Sequence, residues 1–362
     1  MKLTNKLYLQ IAKLFLAVVL VWLIIISLTA IILFYCGPLT TFIVKQKLKK
    51  NPINIVVSLT TTPYRINEIQ FVLDSILRQS ITPTKIYLNV PWVFKRENRK
   101  YIIPRWLKNY SNNIIINRTE DYGPATKLIA TLEREHDPNT IIITIDDDHT
   151  YSKHIVRDLI RPYLTNKTKF KNTAFTGSGL NFISSDHFGI GILPLLPGDH
   201  ELSLVVMGAS GVAYRRDFFK NDIFSLIKNL PISCFLSDDL MISAYLLVHN
   251  VNILKLFNMT YNPVFSLIDP LPQHFSRDAL QSGAKGIGLG SNEENYAKCL
   301  NDLPKYHMEN YRNVIIKRSN MIKKLCLNKE YQINFYIFLY KTMDNIINNV
   351  PYLKKFMVAI LG

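Results

Sequence analysis

Between residues 54 and 145 the chain alternates short apolar runs rich in Val and Ile with stretches of helical character, and few folds accept that rhythm. Asn54 to Leu59 reads as a buried strand, and an amphipathic helix follows from about Glu68 to Gln79. Lys85 to Val90 is a second strand and Asn113 to Asn117 a third. A helix at about Ala125 to Glu135 then leads into the β-rich run Thr140 to Ile145. Strands that are apolar throughout, separated by helices, predict an α/β fold: a mixed, mainly parallel sheet with helices on both faces. Ligands in such sheets bind beyond the carboxyl ends of the strands, so the residues just after each strand matter most.

Ahead of this region, Leu14 to Cys36 is apolar almost without interruption. About 23 residues at 1.5 Å each are enough to cross a hydrocarbon core of roughly 30 Å. Tyr8 and Tyr35 flank the run, Gly37 and Pro38 end it, and FYCGPL makes a poor cleavage site, so an uncleaved single-pass anchor is expected. Lys2, Lys6 and Lys13 precede the span and Lys45, Lys47, Lys49 and Lys50 follow it, a slight bias that favours a cytoplasmic location for the large domain. Sequons at Asn109, Asn117, Asn166 and Asn258 leave a lumenal side open. The four cysteines (Cys36, Cys234, Cys299 and Cys326) share no tight spacing, so neither a disulfide framework nor a zinc site is expected, and a reducing compartment fits. The formal net charge of +16 suits an anionic membrane surface or a phosphorylated substrate. No nucleic-acid-binding signature accompanies it, so no nucleic-acid partner is expected.

The most informative run is IIITIDDDHTY, where a buried strand ends and Asp146, Asp147, Asp148 and His149 follow. Adjacent carboxylates repel, and the cost is tolerated where a divalent cation or solvent neutralises them. On an extended segment Asp146 and Asp148 share a side, so both can face one metal–diphosphate group; a solvated acidic turn is the plainer reading. After the first strand comes SLTTTPYRI, in which Thr60, Thr61, Thr62 and Arg65 are candidates to contact a nucleotide, with turn chemistry around Pro63 the alternative. After the third comes TEDYGPATKL, in which Asp121 can accept from a base or ribose and Lys127 can meet a diphosphate. MGASGVAYRRDFF holds the small residues Gly208, Ala209, Ser210 and Gly211, suited to close packing or to a strand bend. In CFLSDDLMISAYLLVHN, Asp238 and Asp239 open an apolar helix, where acidic residues are common caps. LPQHFSRDAL supplies His274.

Taken in order, these segments resemble the GT-A glycosyltransferases, particularly family-two-like bacterial enzymes, over about Asn54 to His274. The resemblance implies a GT-A, Rossmann-like domain whose DxD-type motif, here Asp146 and Asp148, binds Mn2+ or Mg2+ against the diphosphate of a nucleotide sugar. It implies that Asp146 faces the ribose, that Asp148 and His274 hold the metal, and that Asp239, with Asp238 as runner-up, is the catalytic base. It also places Gly208 to Gly211 on the donor-sugar and acceptor side. No QxxRW motif is present, which implies one sugar per event rather than processive synthesis.

The expected organisation is an N-terminal tail (1–13), the anchor (14–36), a basic linker (37–51), the glycosyltransferase domain (52–300) and a C-terminal helical segment (301–362). The last could lie on the bilayer surface through its aromatic run Ile333 to Tyr340. The expected activity is inverting transfer from a UDP- or GDP-sugar to a hydroxyl of a glycan or lipid-linked acceptor. Another metal-dependent phosphoryl or nucleotidyl transferase, or a non-catalytic membrane scaffold, remains open at this stage.

Overall fold

The computed structural model describes Val19, Trp22 and residues 38–184, 187–190, 201–202, 205–256, 268–270, 272 and 292–303. The chain divides into two compact units, Met1–Pro52 and Ile53–Gly362. In the first, only Val19 and Trp22 of the anchor segment are described, both helical, and a helix α1 occupies residues 38–50. The expected basic linker is therefore helical. Pro38 is compatible with this, since a proline removes a hydrogen bond only toward the turn preceding it. Among the described residues no helix is long and apolar enough to cross a membrane. The aromatic run 333–340 lies outside the described residues.

The second unit is built on an eight-stranded sheet. Its parallel half contains β1 (Ile55–Thr60), β2 (Lys85–Pro91), β5 (Ile114–Thr119) and β6 (Ile141–Thr144), in spatial order β6-β1-β2-β5. These match the four strands expected from the apolar runs to within two residues at either end. β1 and β6 are buried almost throughout, as strands covered on both faces must be. Helices α2 (Gln70–Leu77) and α3 (Thr126–Leu132) fall where the sequence predicts them. α2 buries Val72, Leu73 and Ile76 along one face, each such side chain contributing about 1.5–3 kcal/mol.

Beyond β6 the direction reverses. β13 (Val212–Arg215) runs antiparallel to both β6 and β8 (Thr173–Thr176), with Val212 opposite Thr144. The segment preceding β13 therefore lies at the sheet edge where β6 ends. β14 (Asn252–Lys255) pairs parallel with β8 and antiparallel with β11 (Glu201–Leu202), which closes that side. The buried helix α7 (Asp238–Val248) shares the core of this half with Tyr214, Phe219, Val205 and Val206.

Two tertiary features complete this unit, and the first departs from the sequence expectations. A disulfide joins Cys234, on the short helix α6 (Ile232–Phe235), to Cys299 on α8 (Asn292–Asp302). Spacing could not show this pair, because 65 residues separate the cysteines and the fold alone brings them together. Closing a loop of that length restricts the unfolded chain by about 4 kcal/mol. Second, a short antiparallel ladder joins β7 (His149–Tyr151) to β15 (Ile268–Pro270), placing Pro270 opposite His149. The chain thus returns to the acidic motif four residues before His274, which lies outside the described residues.

Candidate active site

The acidic motif does not continue the strand. The backbone bends at Asp147 and Asp148, and this breaks the alternation expected for an extended segment. Asp146 and Asp148 consequently meet different partners. Asp147 and Asp148 both turn to Arg65, whose Nη1 lies 2.8 Å from Asp147 Oδ1 and 3.4 Å from Asp148 Oδ2. The Thr61 hydroxyl donates to Asp147 Oδ2 at 2.7 Å, and the Tyr101 hydroxyl donates to the Thr61 carbonyl at 2.8 Å. The loop after β1 is thus bound to the acidic motif through Thr61 and Arg65. Thr60 instead donates to the Asn89 carbonyl at 2.8 Å, and the Thr62 carbonyl accepts from the Arg65 and Ile66 amides in the turn around Pro63.

Asp148 Oδ1 lies 2.6 Å from His149 Nδ1. Burial works against a charged imidazole, but the hydrogen bond to Asp148 and the charges of the three aspartates outweigh it and raise the His149 pKa. His149 is a site residue that the sequence reading did not select. Tyr151 is another: the Asp146 amide donates to its hydroxyl at 2.9 Å, and that hydroxyl donates to the Ala209 carbonyl at 3.1 Å. The alternation of Asp, His and Tyr after a strand end was the available signal.

Lys127 holds the centre. Its ammonium lies 2.7 Å from Asp146 Oδ1 and 3.0 Å from Asp238 Oδ2, although the side chain is only 6% exposed. Burial alone would lower its pKa; the charges of Asp146, Asp238 and Asp239 reverse this and raise it well above the ordinary lysine value. Its position is fixed from below. The Ser58 hydroxyl donates to the Lys127 carbonyl, the Asn89 amide donates to Ser58 at 2.8 Å, and the Asn117 amide donates to Asn89 Oδ1 at 2.8 Å. Asn117 is buried in this network, so the sequon it begins is structural.

The opposite wall comes from the reversed half of the sheet. Gly208 to Ser210 form a single 3-10 turn before β13, and Gly211 takes φ 78°, the left-handed region that favours glycine. The Gly208 amide donates to both carboxylate oxygens of Asp239 at 3.1 Å. A Cβ on Gly208 would lie 2.7 Å from Lys127 Nζ and 3.2 Å from both Asp146 Oδ1 and Asp239 Oδ1, so only glycine lets these groups meet. Ser210 donates locally to the Met207 carbonyl at 3.0 Å, a bend role. Burial foremost, then the neighbouring Asp238 charge, pushes Asp239 well above the ordinary carboxylate range despite the Lys127 charge and the Gly208 amide.

Asp121 stands apart. Its carboxylate accepts from the Lys95 amide at 2.7 Å and the Gly123 amide at 2.8 Å, so it shapes two loops rather than reaching for a ligand. It lines a separate cavity of about 380 Å3 with Lys95, Arg96 and Lys228, above the apolar Leu230 and Phe235.

Five carboxylates of one site (Asp146, Asp147, Asp148, Asp238 and Asp239) thus face two permanent cations, Arg65 and Lys127. That excess of negative charge fits a divalent cation, and so does Asp146, whose side chain is 30% exposed. Among the described residues no three His, Cys, Asp or Glu side chains group closely enough to complete a metal site alone.

No family model and no curated protein sequence matches the chain. Among solved structures, similarity extends to S. aureus TarS residues 1–349 in complex with UDP-GlcNAc, at 14% identity and TM-score 0.38, covering 58% of this chain and 57% of that one. GalNAc-T7 with UDP, GalNAc and Mn2+ is similar at 11% identity and TM-score 0.41, over 71% of this chain and 59% of that one. The mannosyltransferase PcManGT from Pyrobaculum calidifontis, in complex with GDP-Man and Mn2+, is similar at 12% identity and TM-score 0.39, over 91% and 93%. With likeness this distant, the case for function rests on the site itself.

Proposed function

We propose that the chain is a membrane-anchored glycosyltransferase that moves one sugar from a UDP- or GDP-sugar to an acceptor hydroxyl with inversion. The observation that carries this reading is the meeting at Lys127 of two acidic groups from opposite halves of the sheet, Asp146 after β6 and Asp238 at the start of α7. A donor diphosphate needs positive charge and a fixed socket, and an acceptor hydroxyl needs a base on the other side of the anomeric carbon.

Asp239 suits the base. A carboxylate raised by burial is a stronger proton acceptor than an ordinary one, and the Gly208 amide holds it in orientation. Asp238 is the weaker candidate, since its charge is taken up by Lys127. Arg65 and Thr61 fix Asp147 and Asp148 on the donor side. Lys127, already bridging the two acidic groups, is placed to exchange a carboxylate partner for a phosphate oxygen. Asp146 and Asp148, with His274, would hold Mn2+ or Mg2+, whose chemistry there is Lewis-acid neutralisation of the departing diphosphate. The apolar run from Leu14 to Cys36 serves as the anchor.

The test is nucleotide binding by the full chain in detergent, comparing UDP, GDP and ADP with and without Mn2+, alongside Asp148→Ala. Binding of one nucleotide that strengthens with Mn2+ and is lost in the variant supports the reading. Folded protein that binds none of them overturns it. Release of pyrophosphate rather than a nucleoside diphosphate would assign nucleotidyl transfer instead.

A further inference from the structure

One covalent bond and one helix near the site have no part in the chemistry above. Cys234 lies on α6, four residues before Asp238, and hydrogen bonds bridge the interval: the Ser237 amide donates to the Cys234 carbonyl at 3.1 Å, and the Met241 amide to the Ser237 carbonyl at 3.0 Å. Movement of Cys234 is therefore passed to the start of α7. Its disulfide partner Cys299 is fully buried on α8. Asn295, Cys299 and Leu303 recur at helical spacing and are all buried, which defines the inner face of α8. Next to that face the Ser233 hydroxyl donates to Asp302 Oδ2 at 3.3 Å.

We infer that the Cys234–Cys299 disulfide is a latch that clamps α8 to α6 and so to the start of α7, which bears Asp238 and Asp239, and that the chain works in an oxidising compartment. The catalytic part rests on the glycosyltransferase reading; the latch itself does not. Forming the bond joins the two sulfurs and releases two protons and two electrons to a disulfide oxidant, which is reduced to a dithiol. A dithiol reductant reverses the step, ending as a disulfide and leaving two thiols. Such bonds persist on the oxidising side of a membrane, so the catalytic domain belongs there rather than in the cytoplasm. The sequons at Asn109 and Asn166 begin at exposed residues, as that placement permits.

The experiment uses the full chain in detergent, oxidised and after dithiothreitol, with Cys234→Ser and Cys299→Ser alongside. Amide exchange of residues 232–242 and 292–303 is read first. Reduction should speed exchange in both segments by roughly tenfold or more while leaving β1 and β6 unchanged, because the latch governs a local opening. Transfer is read second. Reduction and either serine variant should lower kcat by about ten- to a hundredfold, the cost of displacing a catalytic group by about 1 Å, with nucleotide affinity within about twofold. Unchanged exchange on reduction overturns the latch, and wild-type kcat after reduction overturns its hold on the acidic pair. Cysteines 234 and 299 found as free thiols in protein taken from its native membrane overturn the compartment. Exchange is read without turnover, so a chain that loosens on reduction but never transfers sugar refutes the transferase reading and leaves the latch standing.

Discussion

Gly208→Ala tests the centre of the site with the smallest possible change. The new Cβ would sit 2.7 Å from Lys127 Nζ. An ordinary contact is about 3.5 Å, so the ammonium must retreat by about 0.8 Å. The nearest obstacle is the end of a flexible side chain, so the fold can absorb the change at about 1 kcal/mol. The ion pairs cannot absorb it equally well, because Lys127 meets Asp146 and Asp238 at 2.7 and 3.0 Å and any retreat lengthens at least one of them. The same methyl presses on Asp239 Oδ1 at 3.2 Å, the carboxylate proposed as base. Displacement approaching 1 Å at a catalytic group costs about a hundredfold, so kcat should fall by about ten- to a hundredfold, or roughly 1.4 to 2.7 kcal/mol in barrier. The assay is nucleoside diphosphate release under saturating donor and acceptor, paired with a thermal melt of the same sample. A variant that melts within a few degrees of wild type and retains full kcat would show that Lys127 and Asp239 are spectators.

The other expectations are more direct. Arg65→Ala leaves Asp147 buried without its cation and should lower stability by about 3–5 kcal/mol in denaturant titration, with Arg65→Lys recovering only part. Asp239→Asn should abolish transfer and keep nucleotide binding. Because the folded pKa of Asp239 is raised, its ionisation opposes folding: the stabilisation is complete below the unfolded carboxylate pKa and is lost as pH rises through the folded value, so the variant should melt higher than wild type at neutral pH. The same shift places the acid limb of kcat/KM above the ordinary carboxylate range, with activity falling as pH drops through it; a limb at about pH 4 would exclude Asp239 as base. Gly123→Ala should destabilise by about 1–3 kcal/mol, since φ is +63° and the added Cβ would lie 2.6 Å from the Phe235 carbonyl oxygen.

The parallel half of the fold was legible because its signal is local. β1, β2 and β6 are short, largely apolar strands that are buried almost throughout, while β5, at the end of the sheet, shows the same apolar run but leaves Ile115 exposed. Among the candidate residues that the structure gathers into one cluster, Arg65, Lys127 and Asp146 follow these strands in the chain. What escaped the sequence depends on distance or on a local break. The bend at Asp147 and Asp148 cancels the alternation of an extended strand, sending Asp148 to Arg65 and His149 while Asp146 turns to Lys127. Asp121 has the right residue type in the right loop, but two backbone amides take its carboxylate. The pairing of Cys234 with Cys299 comes from a helix whose place is set by tertiary contacts, on which spacing is silent.

The reversal at β13 is what makes such a site possible. In a wholly parallel sheet every segment preceding a strand lies at the edge opposite the carboxyl ends, out of reach of the loops that gather there. Running β13 antiparallel to β6, with Val212 facing Thr144, moves the Gly208 turn to the edge where β6 delivers Asp146. The turn then offers its amide to Asp239, and α7 enters with Asp238 directed at the same lysine. The two halves need not be equally rigid: Lys127 is fixed from beneath by the Ser58 and Asn89 network within the parallel strands, whereas α7 is preceded by the short α6 and its disulfide. On the proposed assignment, the donor side is set by the sheet, and the proposed base, Asp239, by a tether that reduction would cut. Changes confined to the second half should therefore alter kcat while leaving nucleotide affinity in place.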